Sequence, residues 1–143
     1  MQKKVSALIA VRSGSVRVKN KNIRTFNDST LLELKIKQLQ SVKEINDVVV
    51  NSNSDEMLSI AKNLGAKTVK RDDYYASNTI SMSSVFEHMA KNMDCENILY
   101  ANCTNPLVST NSYSDAIRIF LNNTSAYDSL VSCHDIKEFL YLD

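Results

Sequence analysis

A chain of 143 residues, 43% hydrophobic and 23% charged, is long enough for one domain with a real core. No apolar run approaches ~20 residues, which excludes a membrane-spanning helix. Three cysteines without a CxxC spacing argue against a disulfide framework or zinc site and for a reducing cytoplasm. The net charge of +1 hides an asymmetry: residues 1–43 carry ten Lys/Arg against two acids, and the rest seven against fourteen.

In chain order, the basic start leads into Val5 to Val11, nearly all apolar, which reads as a strand buried on both faces and not as a signal peptide. A loop from Arg12 to Asn27 follows. Thr30 and Glu33 fit a capping box for a helix with Leu32, Ile36 and Leu39 on one face. Val48 to Val50 is a second buried strand. Ser54 and Asp55 open a helix with Met57, Ala61 and Leu64 on one face, and Gly65 marks its stop. Ala66 to Val69 is a short third strand. Ser84 and Glu87 fit another capping box, in a helix burying Val85, Met89 and Met93. Ile98 to Ala101 is a fourth strand, Tyr113, Ile117 and Phe120 mark a helical face, and Ser129 to Val131 is a fifth strand. There are no internal repeats. This alternation predicts an α/β fold, a three-layer α/β/α sandwich on a mainly parallel sheet, with Leu8 and Val49 on adjacent parallel strands.

Such sheets bind ligands beyond the carboxyl ends of their strands, which promotes the loops Arg12 to Asn27, Asn51 to Ser54 and Asn102 to Thr110. The first holds Arg12, Arg17, Lys19 and Lys21 with no acid among them. It lacks both GxxxxGK(S/T) and GxGxxG. Small residues Ser13, Gly14 and Ser15 leave backbone N–H groups free for phosphate oxygens, and the cations supply charge. The competing reading is a solvated basic loop. Arg71 is either a reader of a base edge or an ion-pair partner of Asp72 or Asp73. Thr79 and Ser81 either contact a ligand or serve a helix N-terminus. His88 reads as a packing residue and Cys103 as a buried, inert thiol.

"AVRSGSVRVKNKNI" resembles the N-terminal signature of the CMP-sugar synthetases, cytidylyltransferases that activate sialic and related nonulosonic acids: A-R-x-x-S-K-x-(L/I)-x-x-K-N-(I/L). Arg12, Ser15, Lys21, Asn22 and Ile23 match; Val11 and Val16 depart from it. "VVVNSNSDEMLSIAKNLGAKTVKR" resembles the second strand, S-T-D turn and the Arg after the third strand, with Asn53 where the acid stands. "YYASNTISMSSVFEH" resembles the L-A-x-D-x-A-S-x-x-x-V block, and "ILYANCTNPLV" the L-L-Q-P-T-S-P-L-R block. In that last block Asn102, Cys103, Asn105 and Val108 replace Gln, Pro, Ser and Arg.

The resemblance implies a Rossmann-like nucleotidyltransferase fold, with residues 1–143 as one nucleotidyltransferase-like domain. It implies transfer of CMP from CTP to an acidic nonulosonic sugar with release of pyrophosphate. Arg12 and Lys21 would carry the phosphate charge as catalytic groups. Ser13, Gly14, Ser15, Asn22, Arg71, Thr79 and Ser81 would complete the nucleotide site, and Asn102 and Thr104 would grip the sugar. Mg²⁺ is the implied cofactor, with its acidic ligands expected beyond residue 143, since the family's dimerisation arm and metal-binding part are absent from this sequence. The partners expected are CTP and the sugar, with no nucleic acid and no membrane. A cytoplasmic homodimer is expected for the parent enzyme, self-association through Phe139, Leu140 and Tyr141, and little or no turnover for this chain. A Kdo-activating enzyme or an inactive nucleotide-binding module are the alternatives.

Overall fold

The computed structural model describes residues 4–15 and 17–133; Val16, Phe139, Leu140 and Tyr141 lie outside them. Strand β1 (Val5–Ala10) is followed by a 3₁₀ turn (Lys21–Ile23), the two-residue strands β2 (Thr25–Phe26) and β3 (Ser29–Thr30), and helix α1 (Leu31–Gln40). Next come β4 (Asp47–Ser52), α2 (Asp55–Asn63), β5 (Lys67–Lys70) and the short α3 (Asp73–Ala76). Helix α4 (Met82–Lys91), β6 (Asn97–Tyr100) and α5 (Thr110–Asn122) complete the order.

Four strands make a wholly parallel sheet in the order β5-β4-β1-β6. Leu8 stands opposite Val49, as the sequence predicts. The apolar run of β1 is split between two cores by the two-residue period of a strand. Val5, Ala7 and Ile9 pack with Leu32, Ile36 and Leu39 of α1, Met57 and Ala61 of α2, and Tyr113 and Ile117 of α5. Leu8 faces the other way, against Val85 and Met89 of α4. These two clusters give the three layers. Ile9, Leu32, Ile36 and Leu39 have no exposed surface, and each such side chain contributes ~1.5–3 kcal/mol by leaving water.

The caps explain the helix starts. Glu33 N–H donates to Thr30 Oγ1 at 3.1 Å. Glu33 itself accepts from Ser29 Oγ, so only half of the predicted capping box forms. Gly65 adopts φ +75°, and the amide of Ala66 reaches back to the carbonyl of Ala61 at 3.0 Å, the left-handed stop expected there.

Three expectations change. Helix α4 begins one turn earlier than Ser84, because the Ser81 hydroxyl caps the Ser84 amide at 3.2 Å; Glu87 pairs with Lys91 instead. The segment Arg12 to Asn27 is not all loop: β2 and β3 form a hairpin whose turn residues, Asn27 and Asp28, both have positive φ. Ser129 to Val131 carries no strand, and Leu130 and Val131 are exposed. An apolar triplet is shared by strands and extended coil, and among the described residues no neighbour supplies a ladder.

Truncating Leu39 to Ala is expected to cost ~2–5 kcal/mol, seen as a lower urea midpoint at unchanged slope. A midpoint equal to wild type would mean that Leu39 is not a core residue.

Candidate functional site

The carboxyl ends of β1, β4 and β5 converge beside the basic loop. Val11 N–H donates to Asn51 O, and Arg71 N–H to Ser52 O, so the chain leaving each strand is pinned to its neighbour. Arg71 is only 5% exposed. Its Nε donates to Asn51 Oδ1 at 2.5 Å, and its Nη2 to Asn51 O at 2.8 Å and Val11 O at 3.1 Å. Burial lowers its pKa from the ordinary arginine range; the nearby Tyr100 raises it and Arg12 lowers it. Neither Asp72 nor Asp73 pairs with it: Asp72 caps the Tyr74 amide, and Asp73 accepts from Asn53.

The loop after β1 is tied to that crevice. Asn53 Oδ1 accepts from the Ser13 amide at 3.1 Å, and Asn53 Nδ2 donates to Ser13 Oγ at 3.0 Å and Asp73 Oδ1 at 2.9 Å. An amide serves here because it donates and accepts at once; an acid in its place would have only acceptors. Gly14 takes φ +80°, and a side chain there would be strained by backbone conformation alone.

Arg12 stands between the two halves of one cleft. Its Nη1 donates to Ala76 O at 2.5 Å and its Nη2 to Asn78 Oδ1 at 2.6 Å. On one side a cavity of about 380 Å³ is lined by Arg12, Ser15, Arg17, Lys21, Asn22, Asn102, Cys103 and Thr104, with apolar residues at its floor. The expected phosphate and sugar residues thus share one wall-to-wall space. On the other side a cavity of about 330 Å³ is lined by Arg12, Arg71, Tyr75, Ser77, Asn78, Tyr100 and apolar residues of α4. Ser13, Gly14, Thr79 and Ser81 do not line either half. Ser13 is engaged by Asn53, the Thr79 hydroxyl by Ser77, and Ser81 by the α4 cap.

Among the described residues neither lining contains a carboxylate. Among the described residues no three His, Cys, Asp or Glu side chains are placed to hold a metal ion. The described lining of the two cavities supplies no acidic ligand for Mg²⁺, whose ligands the resemblance places beyond residue 143, and no step below runs through it.

Sequence reasoning passed over Asn78, Tyr75, Tyr100 and Lys35. Lys35 carried a signal: it lies three residues after Leu32 and four before Leu39, a cation on the apolar face of α1. It is 1% exposed, and burial lowers its pKa, with Cys103 opposing. His88 packs as expected, stacked on Tyr75 with centroids 3.9 Å apart.

Residues 6–140 match the cytidylyltransferase family. The chain belongs to that family. Among curated cytidylyltransferases and relatives, it is 28% identical over 126 residues to a pseudaminic acid cytidylyltransferase of Campylobacter jejuni, covering 84% of this chain and 54% of that protein. It is 36% identical over 70 residues to a CMP-N,N'-diacetyllegionaminic acid synthase of the same species, covering 49% of this chain and 30% of the other. The chain thus spans about half or less of the length of these relatives. Among solved structures, a cytidylyltransferase from Leptospira borgpetersenii superposes with a TM-score of 0.69 at 25% identity, over 85% of this chain and 50% of that one. A CMP:2-keto-3-deoxy-manno-octonic acid synthetase complexed with CTP superposes with a TM-score of 0.74, over 85% of this chain and 49% of that one; at 11% identity it shows the shared fold alone. This cytidylyltransferase chain has, among its described residues, no helix long and apolar enough to cross a membrane.

The Cys103 thiol is pushed up to about 12 by burial, against the pull of Lys35 and Lys21. It stays protonated at pH 8, so Ellman's reagent is expected to label exposed Cys133 rapidly and Cys103 only after unfolding. Rapid labelling of Cys103 in the folded protein would contradict this burial.

Proposed function

We propose that this chain carries the CTP-handling part of an enzyme that transfers CMP from CTP to an acidic nonulosonic sugar. One observation carries the reading: Arg12 joins a half-cleft containing the buried Arg71 to one containing Lys21, Ser15, Asn22, Asn102 and Thr104, and among the described residues no carboxylate lines either half. The curated relatives act on, or are named for, pseudaminic, legionaminic and N-acylneuraminic acids, which supports the acidic acceptor.

In this reading the base lies beside Arg71. The guanidinium is held by three bonds, and Nη1 has no hydrogen-bond acceptor among the described residues. Cytosine offers O2 and N3 acceptors to such a donor, whereas uracil presents an N3–H that opposes it. The triphosphate passes Arg12 into the Lys21 half. There the acceptor hydroxyl attacks the α-phosphorus in line, its oxygen forming the new P–O bond as the bond to pyrophosphate breaks and its proton passes to water. Arg12 and Lys21 take the charge growing on the leaving group. Asn102 and Thr104, across the same space, orient the sugar. Ser13 and Gly14 shape the loop, and Thr79 and Ser81 fix the α4 end of the base half from outside its lining. No covalent intermediate is required. The homodimer and cytoplasmic setting implied by the resemblance belong to the same proposal.

Calorimetry at low ionic strength is expected to show saturable CTP binding and weaker UTP binding. Lys21→Ala, at an exposed position, should weaken CTP about tenfold or more, the scale of a lost charge-assisted hydrogen bond. Pyrophosphate release is then assayed with CTP and pseudaminate, legionaminate or N-acetylneuraminate. Binding of single-stranded RNA with a steep salt slope and no preference for CTP would overturn the proposal.

A further inference from the structure

The wall that carries Asn102 and Thr104 buries little of itself. Cys103 is enclosed, but Asn102, Thr104 and Asn105 are exposed, and Leu107 is 95% exposed. Apolar burial anchors residues 102–109 only through Cys103 and the half-buried Val108. Between those two points the backbone is held by two side chains from α1. Lys35 Nζ donates to Asn105 O at 2.8 Å, to Tyr113 Oη at 2.8 Å and to Gln38 Oε1 at 2.6 Å. Gln38, thus oriented, donates through Nε2 to Val108 O. The carbonyls on either side of Pro106 and Leu107 are thereby clamped to one helix.

The ammonium has three N–H donors and three acceptors, so its hydrogen bonding is complete. It also stands 5.0 Å from the centroid of the Tyr113 ring. None of its acceptors is a carboxylate. A buried cation of this kind is rarely the cheapest filling for a core position, since apolar replacement of buried charges is often neutral or stabilising. What it does here that an apolar residue cannot is hold one backbone carbonyl directly, that of Asn105, and orient Gln38 to hold a second, that of Val108. Helix α1 also packs against the Lys21–Ile23 turn, which belongs to the opposite wall. The gap between Lys21 and Thr104 is therefore set by a single rigid element.

We propose that Lys35 is the positioning residue for the acceptor wall: by holding Asn105 and Tyr113, and Val108 through Gln38, it sets Asn102 and Thr104 opposite Lys21 and so governs affinity for the acidic acceptor, not for the nucleotide. This rests on the function proposed above.

The test compares wild type with Lys35→Met, which keeps length without donors, and Gln38→Met, at a half-buried position, which frees Val108 and removes one of the three Lys35 acceptors while leaving its bond to Asn105. Amide hydrogen exchange is read over residues 102–109 and over 17–23, and calorimetry gives the affinity for CTP and, with a non-hydrolysable CTP analogue bound, for the three sugars named above. Both variants are expected to speed exchange over 102–109 and not over 17–23. The acceptor Kd should rise about tenfold in Lys35→Met, the scale of one or two lost hydrogen bonds to a charged group, while CTP affinity stays near wild type. Unchanged exchange over 102–109 in both variants would overturn the inference, as would a loss of CTP affinity equal to the loss for the acceptor. A wild-type protein that binds no CTP removes the proposed function instead, and the exchange over 102–109 still decides whether Lys35 positions that wall.

Discussion

Three parallel strands end on one buried guanidinium, and the rest of the cleft is arranged around it. Arg71 leaves β5 with its own amide bound to Ser52, and its side chain takes up the carbonyls of Val11 and Asn51. The carboxyl end of a parallel sheet presents such carbonyls toward the crevice, where they would repel an anion. Covering them with a cation reverses the sign of that surface. It also fixes Val11, and with it the direction in which Arg12 starts the loop. Desolvating an arginine costs several kcal/mol unless its donors are satisfied. Asn51 lowers the cost by offering both its backbone and its side-chain oxygen.

Lys35 repeats the same device on the opposite wall. Both buried cations are held by neutral acceptors, so neither charge is cancelled on site. Amides stand wherever the loops need an anchor: Asn53 ties Ser13, and Asn78 ties Arg12. An amide can hold a donor without adding negative charge, whereas a carboxylate in either place would weaken the attraction for a polyanion. Asp73 enters only behind Asn53, so the basic side chains that line the cleft are themselves held by neutral groups.

The fold was largely legible because β1 and β4 are buried on both faces and leave no alternation to misread. Their apolar runs, the caps at Thr30 and Ser54, and the stop at Gly65 pointed to one arrangement. Where two local solutions were equally good, the sequence did not choose. Ser81 and Ser84 are both competent caps, and the structure takes the earlier one, adding a turn to α4. The triplet at Ser129 had the right composition for a strand, but pairing is a property of the neighbour, which composition does not contain.

The site was legible in its basic loop, where the matched residues Arg12, Ser15, Lys21 and Asn22 do line one cavity with Asn102 and Thr104. It was illegible where function depends on what a side chain touches far along the chain. Arg71 followed by two aspartates suggested an ion pair; the aspartates instead serve Tyr74 and Asn53, because Arg71 turns inward under the strand ends where they cannot follow. Lys35 is the same case at longer range. Two of its acceptors, the Asn105 carbonyl and the Tyr113 hydroxyl, lie 70 and 78 positions away, and only packing brings them together. What the sequence did hold was the contradiction itself, a lysine between leucines on a buried helical face. Such a cation stays inside only if the fold supplies acceptors for all of its protons. In this chain the acceptors include a backbone carbonyl of the wall that must be held still.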